Sequence, residues 1–164
     1  MNKPAPVITL SNVIKRFSGL DKPAVARLSC EIHGGAVTGL VGPDGAGKTT
    51  LMRMLAGLLT PTEGEIRVLD MDPIHDDTRL HSVLGYMPQK FGLYEDLTVM
   101  ENLNLYADLR SVHGVQRAST FARLLDFTSL APFTGRLAGK LSGGMKQKLG
   151  LACTLVGQPD VLLL

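Results

Sequence analysis

The order of apolar and polar positions divides the chain into a strand-rich first part and a helix-rich second part. Val7 to Leu10 alternates weakly and predicts an edge strand. After Lys15-Arg16-Phe17 and a loop through Gly19 to Pro23, the positions Val25, Leu28, Cys30 and Ile32 predict a second strand, closed by the Gly34-Gly35 turn. The apolar run Ala36 to Val41 predicts a short buried strand. A glycine-rich loop follows, and Leu51, Met54, Leu55 and Leu58 mark one face of a helix over Lys48 to Leu58. Thr60 to Gly64 breaks that helix, and further strands are predicted over Glu65 to Leu69 and Val83 to Met87.

Helical spacing dominates thereafter. Val99, Leu103, Tyr106 and Ala107 share a face over about Val99 to Arg110, and Ala118, Phe121, Ala122 and Leu125 share the next. Met145, Leu149, Ala152, Cys153 and Val156 form a third stripe within Ser142 to Val156. The last residues, Asp160 to Leu164, read as a buried strand after the Gln158-Pro159 turn. A chain ending inside such a strand is expected to be a fragment, since its terminal carboxylate would be drawn toward a core. The order predicts an α/β domain carrying a helical subdomain.

Composition narrows the class without naming a chemistry. With 164 residues, 45% apolar and 20% charged, the chain has enough apolar side chains for one core and is not of the disordered class. A net charge of +2 gives no reason to expect nucleic acid as a partner. The basic residues from Arg117 to Lys148 read as a solvated helical face. Cys30 and Cys153 lack metal-ligand or framework spacing, which fits a reducing compartment. Met1 to Leu10 does not read as a signal peptide, and no apolar run is long enough to span a bilayer. Asp70, Asp72, Asp76 and Asp77 lack calcium-loop spacing and read as a solvated turn.

The chemistry begins at Gly42-Pro43-Asp44-Gly45-Ala46-Gly47-Lys48-Thr49, which satisfies G-x-x-x-x-G-K-[ST] between a predicted strand and a predicted helix. Glycines let the backbone turn its N–H groups inward as an anion nest, and the following helix adds its dipole. In that setting Lys48 meets the β- and γ-phosphates, the Thr49 hydroxyl is the expected Mg²⁺ ligand, and Thr50 reaches the α-phosphate. A second element, Leu141-Ser142-Gly143-Gly144-Met145, opens the third helix with Ser142 as N-cap. Two glycines behind a capping serine leave a bare helix N-terminus that an anion can approach.

Taken together, these segments resemble the ATP-binding-cassette (ABC) transporter ATPases over essentially the whole chain, with the nearest likeness to ABC-2-type and bacterial multidrug-exporter cassettes. Gly42 to Thr49 is similar to their Walker A loop. Gln89 resembles the Q-loop glutamine, and Leu97 to Leu103 the segment that follows it. Leu141 to Met145 resembles the signature motif. Phe17 falls where the family has an adenine-stacking aromatic, a role Phe can fill. Val161 to Leu164 looks like the apolar half of Walker B. Three departures stand out: Asp44 where Asn is commoner, Met145 in place of the signature glutamine, and no residues matching the Walker B acids or the switch histidine.

The resemblance implies a P-loop NTPase core with an N-terminal antiparallel β subdomain and an inserted helical subdomain. It divides residues 1–164 into a nucleotide-binding core (1–88), a Q-loop and signature subdomain (89–157) and the start of the Walker B strand (158–164). It implies ATP and Mg²⁺ as cofactors, with Lys48 and Gln89 catalytic and Thr49 and Gln89 at the metal. It also implies two cassettes paired so that Leu141 to Met145 of one faces nucleotide held by the other, working with a transmembrane permease at the cytoplasmic face of the inner membrane. Without the acids that orient water, residues 1–164 alone are expected to lack turnover. The alternatives are a soluble ABC ATPase acting on nucleic acid or ribosomes and a catalytically dead regulatory module. Glu95 and Asp96, near Gln89, read equally as contacts to a partner's cation or as a solvated loop.

Overall fold

The computed structural model describes residues 5–89 and 92–164, so the opening four residues of the chain lie outside it. Two compact units divide at His81/Ser82. In the first unit, β1 (Pro6–Lys15), β2 (Val25–His33) and β3 (Glu63–Val68) form an antiparallel sheet in the order β2-β1-β3. The expected edge strand at Val7 to Leu10 is therefore longer than its weak alternation suggested, and it is central. A register irregularity at Asn12, whose φ is 51°, interrupts the period of two, and the strand then resumes through Val13 and Ile14. Ile8, Leu10, Val13, Ile66 and Val68 bury the inner face.

The run Ala36 to Val41 is not a strand. It is extended without ladder hydrogen bonds, and Val37 and Val41 are exposed. Its composition is that of a central strand, but it pairs with no strand among the described residues, and a strand needs a neighbour for its backbone groups. The helix after the glycine-rich loop, α1 (Lys48–Leu55), buries Leu51, Met54 and Leu55. It stops earlier than its apolar spacing predicts. Leu58 N–H closes back onto the Arg53 carbonyl at 2.9 Å through a reversal at Gly57, which leaves Leu58 exposed. A short helix without a clear periodic signal, α2 (Asp77–Val83), takes Val83 from the strand predicted there. The aspartates before it serve local turns: Asp72 accepts from the N–H groups of Ile74 and His75, and Asp76 from that of Asp72.

The second unit is built from β4 (Leu84–Tyr86), α3 (Val99–Leu109), α4 (Gly114–Thr128), α5 (Gly143–Leu155) and β5 (Val161–Leu163). β4 and β5 pair in parallel, Leu84 opposite Val161 and Tyr86 opposite Leu163. Val99, Leu103, Leu124, Leu149, Ala152, Cys153 and Val156 sit in one apolar core. The buried face of α4 is rotated from the predicted one. It carries Thr120, Phe121, Leu124, Leu125 and Thr128, while Ala118 and Ala122 face solvent. The bulkier side chains claim the core, and small alanines at helical spacing give little reason to choose a face. Among the described residues no helix is long and apolar enough to cross a membrane.

Candidate functional site

The glycine-rich loop folds around its own lysine. Lys48 Nζ donates to the carbonyls of Gly42 at 2.7 Å and Pro43 at 2.8 Å, and the Ala46 N–H turns back onto the Pro43 carbonyl. Gly47, the N-cap of α1, has φ 85°, and a Cβ there would lie 2.0 Å from the Ala24 carbonyl oxygen just before β2. Only glycine fits, because both the left-handed backbone and the contact with a neighbouring chain segment exclude a side chain. No side chain caps α1 and no acid lies in its first turn, so its first N–H groups stay available at the positive end of the helix dipole.

The other predicted site residues of this unit differ in exposure. Pro43, Asp44, Gly45 and Ala46 are exposed, as is Thr49 on the first turn of α1, while Thr50 is half-buried. Phe17 follows β1 with its ring partly open. Lys15 Nζ lies 5.3 Å from the ring centroid and also donates to the Thr60 carbonyl. This set fits a phosphate-bearing ligand with a divalent cation: an uncapped helix N-terminus, one ammonium, and an exposed hydroxyl one residue beyond it.

In the second unit, Gln89 leaves the C-terminal end of β4 and is exposed. That end is the edge of a parallel pair at which α/β sheets present ligand-binding residues. Ser142 caps α5, its Oγ accepting from the Met145 N–H at 3.3 Å. Gly143 and Gly144 are exposed, with open space where side chains would stand. Leu141 is buried and Met145 packs on the helical core, so apolar contact accounts for a methionine where an amide is expected. The structure thus exposes the N-terminus of α1 in the first unit and that of α5 in the second.

Sequence reasoning missed the residues that hold the segment 92–98 before α3. Asn102 is fully buried. Its carbonyl accepts from the Tyr94 N–H at 3.0 Å, and its amide lies within donating distance of the Tyr94, Leu97 and Thr98 carbonyls. A polar residue among helical apolar positions, at the start of a helix, was the available signal. Tyr106 donates to the Gly92 carbonyl at 2.6 Å, and burial raises its phenol pKa above the ordinary value. Thr98 and Glu101 form a capping box, and the Thr98 N–H and hydroxyl hold the Glu101 carboxyl below the usual range. Glu95, open between two readings in the sequence, pairs with Lys146 of its own chain at 2.6 Å.

Comparison with known proteins agrees with this geometry. The ABC transporter family model matches residues 25–164. The chain is 78% identical over 158 residues to a probable multidrug ABC transporter ATP-binding protein, YbhF, of Escherichia coli (strain K12), covering 96% of this chain and 27% of that protein. It is 39% identical to Nod factor export ATP-binding protein I of Sinorhizobium fredii, covering 96% of this chain and 45% of the relative. The chain thus spans about a quarter to a half of the length of these curated relatives. Among solved structures, a dimeric ATP-binding cassette in a post-hydrolysis state, bound to ADP and Pi, superposes with a TM-score of 0.81 at 26% identity, covering 94% of this chain and 72% of that one. The ATP-binding subunit of another ABC transporter gives 0.84 at 22%, covering 95% and 64%. The chain has the α/β P-loop NTPase fold and belongs to the ABC transporter family.

Proposed function

We propose that this chain is the ATP-binding part of an export-type ABC transporter, binding and hydrolysing ATP to drive a separate transmembrane subunit. The observation that carries the reading is the uncapped, Gly47-started N-terminus of α1 with Lys48 held inside its own loop. Within it, the loop from Gly42 to Gly47 would cradle the phosphates, and Lys48 would exchange its carbonyl partners for the β- and γ-oxygens. Thr49 would hold Mg²⁺ and Thr50 the α-phosphate, while Phe17 would stack on adenine. Gln89 would face the metal and the attacking water from the edge after β4. Bound Mg²⁺ would supply positive charge against the negative charge on the phosphate oxygens.

The name of the Sinorhizobium relative supports export as the task, and that of the Escherichia relative supports multidrug transport. The dimeric solved relative supports a second cassette as partner. By the family resemblance, Leu141 to Met145 of each would face the nucleotide of the other. With a transmembrane subunit as partner, the chain would lie at the cytoplasmic face of the inner membrane. No acidic residue of the 164 follows β5, and we propose that residues 1–164 alone bind nucleotide without sustained turnover.

The test is titration of a chain extended to the relatives' length with Mg²⁺-ATP, beside its Lys48→Ala variant. Hydrogen bonds to charged groups contribute about 1.5–3 kcal/mol, so affinity should fall roughly ten- to a hundredfold. Equal dissociation constants would refute the assignment.

A further inference from the structure

Lys146 occupies an electrostatically poor position. It is the fourth residue of α5, where the helix terminus is positive, and its side chain is only 20% exposed. A cation there is disfavoured unless an anion meets it, and Glu95 does, with Oε1 2.6 Å from Nζ. The pair spans elements far apart in sequence: the loop after Gln89 and the first turn of the signature helix.

The backbone around Glu95 is fixed independently. Its carbonyl accepts the Gly139 N–H at 2.9 Å, and a Cβ at Gly139 would lie 3.1 Å from that oxygen, so a side chain there would crowd the contact. The Ala138 N–H donates to the Leu97 carbonyl, and Thr98 bridges Leu137. Asn102 and Tyr106 hold the other side of the same loop at Tyr94 and Gly92. These bonds place the segment 137–140 that leads into Leu141. They do not reach the first turn of α5; the carboxylate of Glu95 does.

We propose that Glu95 is a positioning residue, which through Lys146 fixes the first turn of α5, and so the Ser142-Gly143-Gly144 terminus, against the loop that follows Gln89. The proposal rests on the reading that this terminus acts on ATP. Glu95 is 66% exposed, so the pair contributes little to stability. Its effect falls on geometry, and small misplacements of a group that acts in a transition state are costly.

The experiment uses a chain extended to the relatives' length, with Glu95→Gln, Lys146→Met, the double variant and the charge swap Glu95→Lys/Lys146→Glu. Melting temperature, single-chain Mg²⁺-ATP affinity and steady-state ATP turnover are measured for each. Glu95→Gln and Lys146→Met should each lower kcat about tenfold while melting and single-chain affinity stay near the parent values. The double variant should be no worse than either single one, and the charge swap should recover most of the loss. Unchanged kcat in Glu95→Gln, independent additive losses, or a swap that recovers nothing would each overturn the proposal. Failure of the parent chain to bind ATP would instead overturn the functional reading beneath it, and the proposal with it.

Discussion

The N-termini of α1 and α5 differ in what they still lack. The first, at α1, is started by a left-handed glycine, has no side-chain cap and carries its own cation, Lys48, within reach of the loop. The second, at α5, is capped by the Ser142 hydroxyl, and its nearby cation, Lys146, is already paired with Glu95. An anion meeting the first finds backbone donors and an ammonium together. An anion meeting the second finds two bare glycines and a hydroxyl, with the local positive charge neutralised. The first has the donors and the cation suited to a polyphosphate. The second suits a nucleotide whose charge is already balanced elsewhere, which is what pairing of two cassettes would deliver.

The comparison breaks most severely at Gly47. Gly47→Ala puts a methyl where the Ala24 carbonyl stands and demands a left-handed alanine. It should cost about 3 kcal/mol or more in a chemical denaturation curve and abolish detectable Mg²⁺-ATP binding. A variant of parental stability and affinity would show that the loop has room the structure denies. The scaffold of the second terminus fails differently, through Asn102. Asn102→Ala leaves the Tyr94 N–H and the carbonyls of Tyr94 and Leu97, all part-buried, without their side-chain partner. A loss of about 2–3 kcal/mol is expected, with nucleotide affinity of the single chain retained.

Alkaline pH separates the units by a gentler route. Burial pushes the Cys153 thiol up to about 12 from its ordinary 9.0, while Cys30 in the first unit is exposed. The folded state holds the Cys153 proton more tightly, so its stabilising effect is complete below pH 9 and is lost as pH rises toward 12. Stability should therefore fall by up to about 1.4 kcal/mol per pH unit across that window, and Cys153→Ala should flatten the slope. A thiol reagent at neutral pH should label Cys30 quickly and Cys153 only on unfolding. The smallest effect is expected from Ser142→Ala, about 1 kcal/mol of stability from the lost cap, with single-chain affinity unchanged.

The parts legible in the sequence were those fixed by local rules. The loop from Gly42 to Thr49, the Ser142 cap and the apolar stripes of α3 and α5 needed only short-range spacing. The parts that were not legible depended on neighbours distant in the chain. Ala36 to Val41 has the composition of a buried strand, yet strand formation requires a partner that its own residues do not supply. The α4 face was misread because alanines pack equally well in or out, while Leu124 and Phe121 decide. Gly47 read as part of a motif, but its necessity comes from Ala24. Glu95 stayed ambiguous because its partner lies across the fold, at Lys146.

The most direct test of the difference between the termini is Ser142→Arg in a chain extended to the relatives' length. Mg²⁺-ATP affinity of the single chain and ATP-driven pairing are measured separately, by fluorescence titration at low protein concentration and by sedimentation at high. The account predicts a single-chain dissociation constant within about twofold of the parent, and no pairing on addition of ATP. Loss of nucleotide binding in the single chain would contradict it, because both termini would then serve one nucleotide within one chain.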